Sequence, residues 1–148
     1  MEIKIYLEDA KAVMPEIAYK GTSACFDLIC IEDTKIPARG SALVPNGVRA
    51  IIPNGYYLEF ATRSGMGIKQ NLAVHPGIID AGYSGPLAVK VFNFSNEDQI
   101  IKAGKGCVQV KVHKIPEFEL KQASKEEFEQ YQNNSERGDK GFGSSDKK

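Results

Sequence analysis

An all-β jelly roll, a β-sandwich closed toward a barrel, is the fold this sequence predicts, and three observations point to it. Apolar and polar residues alternate with a period of two over several short stretches, which puts one set on a core face and the other on an outer face. Clusters of Gly, Pro, Asn and Ser separate those stretches at short intervals. Helical periodicity is scarce. Many short strands joined by tight turns are the signature of sandwiches and jelly rolls.

In chain order, Ile3, Ile5 and Leu7 alternate with polar neighbours and predict an opening strand. Ala24-Cys25-Phe26-Asp27-Leu28 is an apolar strand interrupted by one acid. Pro37-Ala38-Arg39-Gly40, Pro45-Asn46-Gly47 and Pro53-Asn54-Gly55 carry the chemistry of turns. The next strand ends at Ala61-Thr62-Arg63-Ser64-Gly65-Met66-Gly67, and a short helical turn is expected after Ser64. Gly77 to Gly85 reads as a glycine-bounded hairpin, closed by Ser84-Gly85-Pro86. Leu87, Val89 and Val91 alternate with Ala88, Lys90, Phe92 and Phe94, so apolar groups occupy both faces. That pattern suits an interior strand or one covered by a partner subunit. After the turn Ala103-Gly104-Lys105-Gly106, Val108, Val110 and Val112 face one way and Gln109, Lys111 and His113 the other. Ser124 to Gln130 predicts a helix with an N-cap serine and Glu127 three residues on. From Asn133 the composition turns small, polar and charged, and cannot bury enough surface to offset its ordering entropy. The expected organisation is a β domain over residues 1–132 and a flexible tail over 133–148.

With 148 residues the chain suits one domain. Its 19 basic and 19 acidic residues cancel, so no net charge draws it to nucleic acid or to an anionic membrane. The absence of a long apolar run predicts a soluble, cytoplasmic protein. The three cysteines, Cys25, Cys30 and Cys107, are odd in number, which argues against a disulfide framework. Cys25 and Cys30 would face opposite sides of one strand and make a poor metal pair, so reduced thiols are expected.

Five patches carry chemistry. Asp27 lies inside an apolar strand; taken alone it reads as a strand-end acid held by a local hydrogen bond. Arg63, Ser64 and the glycines beside them supply a guanidinium fork, a hydroxyl and accessible backbone N–H groups, the parts of a phosphate cradle. The spacing is not that of a P-loop, and a plain surface turn is an equal reading of that patch. In Gly77-Ile78-Ile79-Asp80-Ala81-Gly82-Tyr83-Ser84-Gly85, Asp80 is either a general base positioned by backbone or a residue capping a hairpin. Gln109 stands opposite the valines, where most glutamines simply face solvent. In Arg137-Gly138-Asp139-Lys140-Gly141-Phe142-Gly143-Ser144-Ser145, Phe142 is able to stack on a planar ring while Arg137 and the serines grip phosphates. The Arg-Gly-Asp triplet there is read as chance.

In order and spacing, ACFDL, TRSGMG, GIIDAGYSG, GCVQ and RGDKGFGSS resemble the five motifs of the trimeric dUTPase family, from Ala24 to Ser145. The third and fifth are the most specific. The resemblance implies a β-clip jelly roll in a homotrimer, with each active site built from three subunits. It implies hydrolysis of dUTP to dUMP and pyrophosphate with Mg2+. Asp80 would deprotonate the attacking water. Arg63, Ser64, Gly65 and Gln109 would hold the phosphates, and Asp27 would meet the magnesium through its water shell, the ion being chelated mainly by the triphosphate. Backbone groups at Gly77, Ile78, Ile79 and Ala88 would match the uracil edge, and Tyr83 would pack on the deoxyribose. Arg137, Phe142, Gly143, Ser144 and Ser145 would close over the nucleotide.

The chain departs from the family pattern in places. Cys25 stands where glycine is usual, Lys105-Gly106 where an acid and an arginine usually open the fourth motif, and Val74 near the place of a base-binding asparagine. Asp146 follows Ser145 where glycine is frequent. The alternative from another class is a regulatory nucleotide-binding protein on the same scaffold. A related deaminase needs a different acid–base pair, and a plain β interaction module would leave the five motifs unexplained.

Overall fold

A computed structural model describes residues 1–142. The β-rich unit, Met1–Pro116, holds β1 (Lys4–Leu7), β2 (Cys25–Ile29), β3 (Thr34–Ile36), β4 (Ser41–Val44), β5 (Val48–Ile51) and β6 (Tyr56–Ala61). It continues with α1 (Ser64–Gln70), β7 (Leu72–Val74), β8 (Ile78–Asp80), β9 (Val89–Asn93), β10 (Gln99–Ile101) and β11 (Gly106–Lys114). A four-stranded sheet runs β2-β11-β6-β8 and a three-stranded sheet β4-β9-β7; the pairs β1-β5 and β10-β3 complete the unit. All pairings are antiparallel. The all-β expectation therefore holds.

The period-two pattern builds the core. Leu28 from β2, Leu58 and Phe60 from β6, and Val108 and Val110 from β11 point inward, where they join Val44, Val89, Val91, Leu72 and Val74 of the other sheet in one cluster. Because side chains opposite each other in register share a face, the outer face of the four-stranded sheet is written in rows. Asp27, Gln109 and Ala61 form one row, Cys25, Lys111, Glu59 and Ile78 the next, and His113, Tyr57 and Asp80 the third.

β9 is an interior strand, between β4 and β7. Its valines are fully buried, yet on its second face Lys90 and Phe94 remain exposed. Phe92, between them on that face, is half-buried, with Lys90 Nζ 5.4 Å from its ring centroid. Two buried amides fix the loops beside the sheets. Asn46 Nδ2 donates to the Leu87 carbonyl (2.7 Å) and its Oδ1 accepts from Val48 N–H (3.0 Å). Asn93 Nδ2 donates to the carbonyls of Ile36 (3.0 Å) and Glu97 (2.8 Å). Buried polar groups with all partners made define one geometry rather than loosening it.

α1 is the helical turn expected after Ser64. Met66 anchors it in the core, and Asn71, in the left-handed region at φ 53°, ends it by donating its N–H to the Met66 carbonyl. The second unit begins at Glu117 and contains α2 (Lys125–Asn134). Ser124 and Glu127 make the expected capping box. α2 runs across the change of composition at Asn133, and none of its residues is buried. Among the described residues no helix is long and apolar enough to cross a membrane.

Candidate functional site

The predicted residues gather in two places on the β-rich unit. The first lies where β2, β11 and β6 run side by side. Register sets Gln109 between Asp27 and Ala61, and Arg63 follows two residues beyond the end of β6. Arg63 Nε lies 2.9 Å from Asp27 Oδ2 as a half-exposed ion pair, and Arg63 Nη1 donates to the Gly106 carbonyl at 3.0 Å. Gln109 Nε2 donates to the Thr62 carbonyl at 2.7 Å, and Thr62 Oγ1 accepts from Val74 N–H at 2.9 Å. The strand end that delivers Arg63, Ser64 and Gly65 is thus tied to two neighbouring strands.

Gly106 explains how the guanidinium lies so close to β11. A Cβ there would come within 2.8 Å of Arg63 Cζ, a distance real Cβ contacts do not reach. The residue matters by what it lacks. The register of β11 against β2 also shifts between Gly106 and Val108, as at a β-bulge, which re-aims the strand at this point. Gly65, by contrast, meets nothing within 4 Å of an added Cβ, so open space lies in front of it for an incoming group.

The second place is the edge strand β8 and the hairpin after it. Phe60, Gly77, Ile78, Ile79, Asp80, Tyr83, Pro86, Leu87 and Ala88 line a cleft of about 290 Å³. Phe60 N–H donates to the Gly77 carbonyl at 3.0 Å. Antiparallel alternation then pairs Ile79 with Leu58 and turns the backbone N–H and C=O of Ile78 and Asp80 to the unpaired edge of the sheet. Ile78 thus offers a donor and an acceptor side by side, while the Gly77 carbonyl and the Ala88 N–H, which donates to Pro86 O at 2.9 Å, are already used. Tyr83 Oη donates to the Pro86 carbonyl at 3.1 Å, and the ring lies so close to Gly85 that a Cβ there would overlap Oη. Asp80 is exposed, and its carbonyl accepts from Tyr83 N–H at 3.2 Å across a turn in which Gly82 has φ 88°. Beside it in the row, Tyr57 stacks on His113 at 4.8 Å. His113 Nε2 comes within 2.7 Å of Glu59 Oε2, but the approach lacks hydrogen-bond alignment, so we read it as a contact set by packing.

The two places are far apart in one chain. Asp80 faces Tyr57 at one end of β6, and Arg63 lies six residues further on. At the rise of an extended strand this is about 20 Å. Of the tail residues, Arg137 Nε and Nη2 donate to the carbonyls of Lys140 (3.1 Å) and Gly141 (3.2 Å), and the Phe142 ring is fully exposed. Gly143, Ser144 and Ser145 lie outside the described residues. Among the described residues no group of three or more His, Cys, Asp or Glu side chains is arranged to hold a metal ion. Asp27 keeps one carboxylate oxygen outside its ion pair, a donor set that suits a hydrated divalent ion held mostly by other oxygens.

Sequence reasoning overlooked Thr62, Phe60, Pro86 and the roles of Gly85 and Gly106. The Tyr83-x-Gly85 spacing carried a signal for one of them. The others act through contacts between distant parts of the chain.

A protein-family model described as dUTPase matches residues 10–146. The chain is 37% identical over 147 residues to a deoxyuridine 5'-triphosphate nucleotidohydrolase of Candida albicans, covering 98% of this chain and 88% of that one. It is 39% identical over 133 residues to the protein of the same name from Solanum lycopersicum, covering 90% and 75%. Among solved structures, the dUTPase of Staphylococcus bacteriophage 80alpha with dUPNHPP superposes with a TM-score of 0.85 at 28% identity, covering 99% of each chain. A mutant dUTPase of S. aureus phage phi11, described as coordinating a structural Mg(II) ion, superposes with a TM-score of 0.77 at 26% identity, covering 83% of this chain and 97% of that one.

Cys107 sits between Gly106 and Gln109 with its thiol directed at the Leu28 carbonyl, 3.3 Å away. Burial first, and the nearby Cys30 second, push this thiol from 9.0 up to about 12. A raised folded-state value means that its contribution to stability is complete below pH 9.0 and is lost as pH rises toward about 12. Urea unfolding of wild type and Cys107→Ala at pH 8 and pH 11 measures this. The stability advantage of wild type should narrow at the higher pH; an unchanged gap would show that the thiol does not titrate in this range.

Proposed function

The chain belongs to the dUTPase family and is a dUTP diphosphatase, and from that premise we propose how its residues carry out the hydrolysis and in what assembly. The observation that carries the proposal is the separation along β6 of Asp80 and its cleft from the Asp27–Arg63–Gln109 group. A base and a phosphate grip about 20 Å apart cannot serve one phosphorus atom. Two copies of the chain, placed so that the cleft of one faces the Arg63 end of another, bring them together. A homotrimer in which each copy gives both surfaces closes this arrangement with cyclic symmetry.

In that assembly Asp80 accepts the proton of the attacking water as its oxygen bonds to the α-phosphorus. The bond from that phosphorus to the bridging oxygen breaks, and pyrophosphate leaves with the electron pair. Because Asp80 stands on a strand end held by its own turn, its carboxylate is placed by backbone and needs little ordering when substrate arrives. Arg63, Ser64, Gly65 and Gln109 meet the phosphate oxygens, where charge must be offset before a nucleophile approaches. Magnesium chelated by the triphosphate would supply further charge neutralisation, with Asp27 touching its water shell. We assign uracil recognition to the free edge of β8, where Ile78 presents both a donor and an acceptor. A cytosine there would leave a buried group unpaired at a cost of about 1–3 kcal/mol. Tyr83, held back by its bond to Pro86 and its seat on Gly85, stacks on the deoxyribose and leaves no room for a 2′-hydroxyl. The tail segment with Arg137, Phe142, Gly143, Ser144 and Ser145 closes over the nucleotide and excludes water.

Three measurements test this reading. Asp80→Asn should lower kcat for pyrophosphate release from dUTP by roughly 100-fold or more, while a non-hydrolysable dUTP analogue still binds. Near-normal turnover in that variant would remove Asp80 from its role, and tight binding by a wild type that never turns over would favour the regulatory alternative. For Tyr83→Ala the quantity to follow is the ratio of kcat/KM for UTP and dUTP. It should move toward UTP, and a constant ratio would leave ribose selection to other residues. Finally, inactive Asp80→Asn chains mixed and reassembled with inactive Arg63→Ala chains should regain activity, because some sites then pair two intact halves. No recovery after subunit exchange would mean that each chain builds its site alone.

A further inference from the structure

Resting on the reading of Arg63, Ser64 and Gly65 as the phosphate grip, we propose that Lys69 and Lys105 bind the terminal phosphate of the substrate and thereby select a triphosphate over shorter nucleotides. A cleft of about 460 Å³ opens between α1 and the turn that joins β10 to β11. Arg63, Lys69, Lys102 and Lys105 contribute to its lining, and no carboxylate does. It begins where the phosphate grip ends, since Arg63, Gly65 and Gly106 form one of its walls.

The four cations are not equivalent. Lys102 Nζ is engaged by Asp33 at 2.6 Å, and Arg63 is held between Asp27 and the Gly106 carbonyl. Lys69 and Lys105, both exposed, have no carboxylate within ion-pair distance among the described residues. They stand on opposite sides of the cleft, one in the last turn of α1 and the other just before β11. Uncompensated like charges converging on one hollow repel each other, and an anion between them removes that cost.

The sequence of the turn fits the same reading. Gly106, with no Cβ, leaves room for the Arg63 guanidinium where it now lies, and this strand offers no side-chain cation of its own at that position. Lys105 then carries positive charge where the family pattern commonly has an acid. A phosphate that reaches past Arg63 meets Lys105 from the turn before β11 and Lys69 from α1. Both side chains are long and solvated, so their contribution is screened by salt and depends on the charge of the ligand rather than on its base.

The test uses the full-length assembled protein with Lys69→Gln, Lys105→Gln, the double variant, and the conservative pair Lys69→Arg and Lys105→Arg. Calorimetry at low salt compares dUMP, a non-hydrolysable dUTP analogue and inorganic tripolyphosphate. The double variant should bind the analogue and tripolyphosphate roughly tenfold or more weakly, bind dUMP as before, and regain triphosphate affinity with arginines. Its loss should shrink as salt is raised. Equal loss for dUMP and for the triphosphate analogue, or no loss for either, overturns the proposal. Failure of the catalytic reading is seen separately, as absence of dUTP turnover by wild type. In that event the tripolyphosphate affinities of wild type and double variant still decide whether the lysines form an anion site.

Discussion

β11 is the strand on which both faces of the molecule depend. It lies between β2 and β6, and its alternation sends Val108 and Val110 into the core while Gln109 faces out between Asp27 and Ala61. The burial of those valines is the restraint that holds the polar row in register. A slip by one residue would expose two fully buried side chains and bury Gln109 and Lys111, a loss far larger than any single outer-face contact. The position of the Gln109 amide, proposed to hold phosphate, is thus enforced by apolar packing on the other side of the same strand. The one irregularity, between Gly106 and Val108, falls where the strand must make room for Arg63. Core and site are therefore two readings of one register.

The cleft beside β8 is built by a different device. Its far wall, at Leu87 and Ala88, is not part of any strand, yet it is fixed because Asn46 holds the Leu87 carbonyl and Val48 accepts the Leu87 N–H (2.9 Å). A buried asparagine with its bonds made is costly to move, so the loop behaves as part of the scaffold. Asp80 gains from this. An exposed acid on a long loop would have many orientations, whereas one at a strand end, with its carbonyl tied to Tyr83 N–H, has few. Ion pairs on the surface, such as Lys35 with Asp98 and Lys102 with Asp33, tie the β3–β10 pair to its turns and are too solvent-exposed to decide the fold.

Local periodicity made much of this legible in the sequence. Val108 and Val110 announced the buried face of β11, Ser124 with Glu127 announced the cap of α2, and the glycines after Ser64 announced a change of direction that became α1. Val112 has the same place in the alternation but is 36% exposed, because it lines an open cleft with Ile3, Ile5 and Phe26 rather than the closed core. The extent of α2 past Gln130 was not readable, since no terminating residue precedes Asn133. The reason for Gly106 was hidden for another cause. It concerns a guanidinium 43 residues earlier in the chain, and no local pattern encodes such a neighbour. The convergence of Lys69 and Lys105 is of that kind too. The candidate site residues were identified by the order of motifs, and the family resemblance already implied a site shared between subunits; strand register adds the physical reason, with Tyr57 opposite Asp80 at one end of β6 and Arg63 beyond the other.

That division bears on why a small β unit should assemble. Ile78 (59% exposed) and Phe94 (59% exposed) leave apolar surface uncovered on the β-rich unit, and Ile78 lies in the cleft itself. Scattered exposed apolar residues are ordinary, but one placed between Asp80, the proposed general base, and the free edge of a sheet has a particular consequence. A neighbouring copy that covers it removes water from the place where the phosphate must meet the base, which strengthens every charge interaction there. On this account the burial that drives assembly and the desolvation that aids catalysis are the same event. An isolated chain would then keep Asp80 in water, apart from the cations that would let a water activated by it attack a polyanion.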